Sequence, residues 1–204
     1  KYEQFQKQFL AVLQGHPVQG DPVVGKLMKD LFLFPTSGSA FYKYTNGVWQ
    51  EVYAEKLSGE EKKRIFKAFE KTFKELNYIH PTEIFGELFE DRGTQITFSA
   101  LGQGAPWPLK EKWKNEHAKD KLKIAETMQR YLPDLEVRAG GYTSVDITHK
   151  GVDKEYGLRQ IKKHLGIDFD EMLFVGDALF PGGNDYPALR TGVPCFAVKG
   201  PEET

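Results

Sequence analysis

The stretch Leu173-Phe-Val-Gly-Asp177-Ala-Leu-Phe-Pro181-Gly-Gly-Asn-Asp185 reads as an apolar strand that ends in glycine and a carboxylate, followed by a glycine-rich turn. In an open parallel sheet, ligands bind beyond the carboxyl ends of the strands, and Asp177 stands at that end. A carboxylate there can hold Mg²⁺, a hard cation that prefers oxygen ligands and shares them with substrate phosphate. Gly182 and Gly183 permit a tight turn that returns Asn184 and Asp185 toward the same spot. Two converging carboxylates repel each other unless a cation or a lysine sits between them. The bare Gly176-Asp177 pair is better explained as a strand, a turn and an Asn/Asp helix cap. The whole run reverses that preference.

Outward from this stretch, a short helix from Asn184 leads to a second strand at Cys195–Val198. Upstream, a helix carrying Leu158, Ile161 and Leu165 stops at Gly166. Alternating strand and helix imply a parallel sheet. At the other end of the chain, Leu31-Phe-Leu-Phe34 is closed by Pro35 and suits a fully buried strand. Ala40 to Tyr44 and Val48 to Tyr53 flank Asn46-Gly47, the signature of a tight β-hairpin. Tyr2, Phe5, Phe9 and Leu13 share one helix face with no capping residue before Tyr2, and Gly15 to Pro22 break that pattern.

The middle of the chain has a different character. Ser58-Gly-Glu-Glu61 is a capping box ahead of a helix with Ile65, Phe69, Phe73 and Leu76 on one stripe. Strands are expected at Ile84–Phe89 and Thr94–Ala100, the second with Gln95, Thr97 and Ser99 on a wet face. A helix from Leu109 to Tyr131 ends before Pro133. Two further strands, Leu135–Arg138 and Tyr142–Thr148, are joined by Gly140-Gly141. This is an α+β module, an antiparallel sheet with helices on one face. The expected architecture is α/β: a parallel-sheet core built from residues 1–54 and 149–204, with an α+β insertion at 55–148.

With 28 Lys plus Arg against 29 Asp plus Glu, the net charge of −1 provides no global field for nucleic acid or an anionic membrane. The lysines at 110, 112, 114, 119, 121 and 123 alternate with acids and read as a solvated helix face. No apolar run approaches the roughly 18 residues of a membrane span. The single cysteine, Cys195, excludes an internal disulfide. A soluble, cytoplasmic globular protein is the expectation. Trp107, between two prolines, either covers a substrate entrance or stiffens a loop. Of the five histidines, only His149, close in sequence to Lys154, merits attention.

Gly176-Asp-Ala-Leu-Phe-Pro-Gly-Gly-Asn-Asp185 resembles the fourth motif of the haloacid dehalogenase (HAD) superfamily, in the form found in eukaryotic-type phosphomannomutases and their relatives. Phe34-Pro-Thr-Ser-Gly38 with Phe41-Tyr-Lys-Tyr44, and Gly140-Gly-Tyr-Thr-Ser-Val-Asp146 with Gly151-Val-Asp-Lys154-Glu-Tyr-Gly-Leu158, are similar to that family's hairpin and to its exit from an inserted cap of the C2B type. The resemblance implies a Rossmann-like core whose cap closes over the substrate. It gives Lys154 the third-motif role of neutralising charge around nucleophile and phosphate, with Asp177 as Mg²⁺ ligand and Asp185 organising the site.

In the cap, the resemblance points to Arg92, Gln103, Lys110, Ser144 and Asp146 as substrate-binding positions, beside Asn184 of the core. Ser144 and Asp146 alternate on one strand and so share a face. Gln103 and Lys110 stand where the family carries arginines, and losing a bidentate guanidinium weakens phosphate recognition. A mutase needs a strong second phosphate site. The expectation is therefore a Mg²⁺-dependent phosphatase acting on a small phosphorylated sugar through an aspartyl-phosphate, with a phosphomannomutase as the alternative. A non-catalytic sugar-phosphate-binding protein is the reading if the chain naturally starts at Lys1. The family also implies a nucleophilic Asp-x-Asp at the end of a first strand. The only Asp-x-Asp here, Asp168-Phe-Asp170, lies in a loop before the strand that ends at Gly176. The expectation is that the nucleophile and the second-motif Ser or Thr precede Lys1, and that the chain alone does not turn over. The resemblance leaves room for a cap-mediated homodimer.

Overall fold

The computed structural model describes residues 28–200 and 203. The helix read at Tyr2–Leu13 and the break at Gly15–Pro22 lie outside the described residues. The chain divides into two units, Glu55–Gly151 and the flanking segments that end at Ala54 and resume at Val152.

In the flanking unit, β1 (Phe32–Leu33), β2 (Ala40–Thr45) and β3 (Val48–Ala54) form an antiparallel sheet in that order. Asn46 and Gly47 take left-handed backbone, with φ of 53° and 82°, which lets Thr45 pair directly with Val48. The fully buried strand expected at Leu31–Phe34 is instead a two-residue strand antiparallel to β2. Only Leu33 is buried, and Phe32 is 37% exposed. An apolar run does not say which of its residues face inward.

The turn Pro35–Gly38 lies on α3 (Lys154–Leu165) through two glycines. A Cβ on Gly38 would sit 2.5 Å from Gly157 Cα, and Tyr53 Oη donates to Gly38 O at 2.6 Å. α3 is capped by Asp153, which accepts the Tyr156 N–H at 3.0 Å, and ends at Gly166 in left-handed backbone. β8 (Phe174–Gly176) and β9 (Cys195–Ala197) pair in parallel, with Phe174 opposite Cys195. The link between them carries the short helix expected from Asn184, as a 3₁₀ helix over Tyr186–Thr191.

The Glu55–Gly151 unit is an antiparallel sheet of four strands in the order β4 (Phe89–Asp91), β5 (Ile96–Ser99), β7 (Ser144–His149), β6 (Leu135–Gly140). Its helices are α1 (Gly59–Glu75) and α2 (Trp107–Tyr131). α1 opens with the capping box read from the sequence. Glu61 N–H donates to Ser58 Oγ, and Ser58 N–H donates to Glu61 Oε2 at 2.7 Å. Ile96, Phe98, Val145, Ile147, Val137 and Leu135 project toward Ile65, Phe69, Ile124 and Met128 in one apolar core. Both helices thus cover the same face of the sheet.

Two expectations for this unit fail. Residues 84–88 are not a strand: Phe85 N–H bonds to Leu101 O, and Gly104 N–H bonds back to Phe85 O. This loop-to-loop pairing satisfies the backbone that a ladder would have used. Nor is the second face of β5 wet. Gln95, Thr97 and Ser99 are buried, at 7%, 1% and 2% exposure. Gln95 bonds to Thr97, Thr97 to Asp146 of β7, and Ser99 to Thr143 and the Gly102 carbonyl, so alternation recorded polarity and not exposure. Among the described residues no helix is long and apolar enough to cross a membrane.

Candidate functional site

Each unit carries a cluster of the residues singled out in the sequence. In the flanking unit the cluster forms at the carboxyl end of β8. Asp177 follows the strand directly and is exposed, and among the described residues it has no hydrogen bond or ion pair. Asp185 is only 5% exposed and accepts the Ala178 N–H through Oδ2 at 3.2 Å. Lys154 Nζ, in the first turn of α3, lies 3.6 Å from Asp185 Oδ1. The lysine thus compensates the buried carboxylate and leaves Asp177 open.

Glycines make this packing feasible. A Cβ on Gly176 would fall 2.6 Å from Asp185 Oδ2, and one on Gly183 would fall 2.1 Å from Ala178 O. The turn therefore folds back onto the strand end only because both positions lack a side chain. Asn184 is exposed on that turn. Asp168-Phe-Asp170 is at the opposite, amino-terminal side of β8, where Asp168 N–H donates to Glu171 Oε2 and its carboxylate pairs with Lys162.

In the other unit the cluster is the polar face of the sheet. Asp146 of β7 stands opposite Thr97 of β5 and Arg138 of β6, and Ser144 stands opposite Ser99. Thr97 Oγ1 donates to Asp146 Oδ1 at 2.8 Å and accepts from Gln95 Nε2 at 2.8 Å. Burial raises the Asp146 pKa above its ordinary value; the Thr97 hydroxyl, the Arg92 charge, Gln95 and Lys121 pull the other way. Arg92 Nε is bonded to Glu90 Oε2 at 2.8 Å. At the rim, Lys110 Nζ donates to the Gln103 carbonyl at 3.2 Å, and the buried Gln103 Nε2 has no hydrogen-bond partner among the described residues. The structure therefore gathers Arg92, Ser144 and Asp146 on one face, with Gln103 and Lys110 together beside it.

The sequence reading missed or misjudged several residues here. Gln95 and Thr97 belong to the Asp146 network. Lys121, read as solvated, is 8% exposed and donates to the carbonyls of Gly140 at 3.0 Å, Gly141 at 2.6 Å and Tyr142 at 3.4 Å. Its position was legible: Trp113, His117, Lys121, Ile124 and Met128 follow the three-and-four spacing of the buried stripe. His149 instead meets Glu61, Nε2 to Oε1, at 3.0 Å. Trp107 opens α2 and packs edge-on against Tyr142. A cavity of about 450 Å³ lined by Tyr78, Trp113, His117 and Asp120 shares no residue with either cluster.

The fold is that of the HAD superfamily. Over the whole chain it resembles an N-terminally truncated IMP-nucleotidase of Plasmodium falciparum, with a TM-score of 0.62 at 15% identity and 55% of that chain covered. A haloacid dehalogenase-like hydrolase from Bacteroides thetaiotaomicron matches 83% of the chain, and 67% of its own, with a TM-score of 0.51 at 13% identity.

The sequence matches the family described as eukaryotic phosphomannomutase over residues 17–204, and the chain belongs to that family. The phosphomannomutase of Spinacia oleracea is 31% identical over 85% of this chain and 68% of its own. That of Encephalitozoon cuniculi is 31% identical over 84% of this chain and 66% of its own. The chain thus spans about two thirds of the length of these curated relatives.

Proposed function

We propose that the protein containing this chain is a Mg²⁺-dependent phosphomannomutase, interconverting mannose 6-phosphate and mannose 1-phosphate with a sugar bisphosphate as activator. The observation that carries this reading is the family match over residues 17–204, joined to the cluster of Asp177, Lys154 and Asp185 at one strand end. It favours the mutase over the phosphatase that the sequence suggested. The relatives are named phosphomannomutases, although the resemblance implies arginines where this chain has Gln103 and Lys110.

The donor set suits Mg²⁺, which is usually held by one or two carboxylates and completes its shell with water and substrate phosphate. Asp177 would hold it, being an exposed oxygen donor that nothing else engages among the described residues. When bound, the ion neutralises charge on the transferring phosphoryl group. Lys154 adds a second positive charge against that group. Asp185 holds Lys154 and the Ala178 amide in place. In the other unit, Ser144, Asp146 and Arg92 form a polar face whose chemistry suits the hydroxyls and a phosphate of a sugar phosphate. The aspartyl nucleophile that the resemblance implies is not among the residues of this sequence.

The phosphatase remains the second reading, because the buried Gln103 Nε2 cannot replace the charge of a guanidinium. Both readings are tested by incubating the complete protein with mannose 1-phosphate, with and without bisphosphate, and following both mannose 6-phosphate and free phosphate. Interconversion supports the mutase. Phosphate release alone supports the phosphatase, and neither product overturns both. In the active protein, Asp177→Asn should lower turnover by about 10²- to 10³-fold, the range for losing a group that stabilises developing charge.

A further inference from the structure

Lys121 is the one buried lysine of α2, and every N–H of its ammonium is engaged by a single turn. Three successive carbonyls, Gly140, Gly141 and Tyr142, accept from Nζ. A lysine has three donors and no acceptor, so this turn saturates it. The same turn joins β6 to β7, and β7 begins at Ser144 immediately after it.

Gly140, whose carbonyl Lys121 holds, also forms the seat of the Asp146 carboxylate. A Cβ there would lie 2.3 Å from Asp146 Oδ2. The chain of contact runs from Nζ to the Gly140 peptide, and from Gly140 to the carboxylate. We infer that Lys121 is a positioning residue for sugar binding, which clamps the β6–β7 turn so that Ser144 and Asp146 are presented in a fixed geometry, and whose positive charge acts on Asp146.

The charged groups around Asp146 decide the electrostatic half of this role. Arg92 follows β4, but Glu90 holds its Nε. Arg138 is the cross-strand neighbour on β6, but it is 3.3 Å from Glu136. Among the described residues Lys121 has no carboxylate bonded to it; its three acceptors are neutral carbonyls. Lys121 thus adds to Arg92 a second positive charge that favours the ionised form of Asp146. Burial and the nearby Lys114 act to lower the pKa of Lys121, while the Asp146 charge acts to raise it, as expected for two buried groups that favour each other's charged forms.

The inference rests on the proposed sugar-phosphate reading, so its test has one arm with activity and one without. In the complete protein, Lys121→Met should raise KM for the sugar phosphate by about tenfold, the size of one charge-assisted hydrogen bond, with kcat nearly unchanged. That split marks the loss of uniform binding. Lys121→Arg, which keeps the charge, should recover most of the loss. Independently of activity, the ¹³C-detected titration of the Asp146 carboxyl should move to higher pH in Lys121→Met. If that variant does not fold, Lys121→Gln, which keeps two donors without the charge, should show the same shift. A folded, uncharged variant whose Asp146 titration and KM both match the wild type overturns the inference, even if its thermal stability falls. Wild-type protein inactive on every sugar phosphate overturns the functional reading, and the titration then decides the role of Lys121 alone.

Discussion

Burial raises the pKa of Asp146, so ionising this carboxyl costs more in the folded protein than in the unfolded chain. The sign follows from linkage: between the ordinary value of 3.8 and the raised folded value, the native state binds more protons, and stability falls as pH rises. Above that window the penalty is constant. Asp146→Asn should therefore raise Tm at pH 7, with a smaller gain near pH 3.5, while weakening sugar-phosphate binding. Calorimetric melts at the two pH values check the first half and a binding isotherm the second. An unchanged Tm at pH 7 would show that Thr97, Arg92 and Lys121 fully offset the burial. At this scale the family resemblance pointed to Ser144 and Asp146 and alternation put them on one face, but neither could show that Gln95 and Thr97 are closed off beside them. Polar side chains that satisfy one another look, in one dimension, the same as side chains that face water.

Among the elements, the contact between the Pro35–Gly38 turn and α3 has little tolerance. Gly157 sits where a Cβ would meet Ser37 O at 3.0 Å, a backbone atom that cannot swing aside. Gly157→Ala should destabilise the protein by about 1 to 3 kcal/mol, the usual cost of overpacking, read as a lower midpoint in urea. Gly38→Ala should cost more, because it adds a left-handed φ of 80° to a 2.5 Å approach to Gly157 Cα. Equal midpoints for the two variants would mean that the turn moves away from the helix. The caps and hairpin were legible because their geometry is local: Ser58 with Glu61, Asn46 with Gly47, and Gly166 after Leu165 each act within a few residues. The strand expected at Ile84–Phe89 failed because residues 101–104 supply its backbone partners, and composition does not reveal that pairing.

For the whole molecule, the Glu55–Gly151 unit is a continuous segment with its own apolar core, in which Phe69, Ile96, Phe98, Ile124, Met128 and Ile147 are almost wholly buried. A contiguous unit with its own core is a folding unit. Residues 55–151 expressed alone should melt cooperatively with dispersed amide resonances, whereas a gradual transition would mean that the core depends on the flanking segments.

Periodicity, capping and turn chemistry, read from the sequence alone, determined most of the elements and the change from α/β to α+β grammar and back. They also placed Asp177, Asp185 and Lys154 on the elements that carry them, because strand ends, glycine turns and helix starts are written over short spans. The tertiary structure alone decided which polar groups are buried together. Lys121 left the solvated set, Lys154 came to lie beside Asp185, and Gly140 became the seat of Asp146. Those outcomes depend on distances between residues far apart in the chain, and burial changes the energy of a charge only once such neighbours are in place.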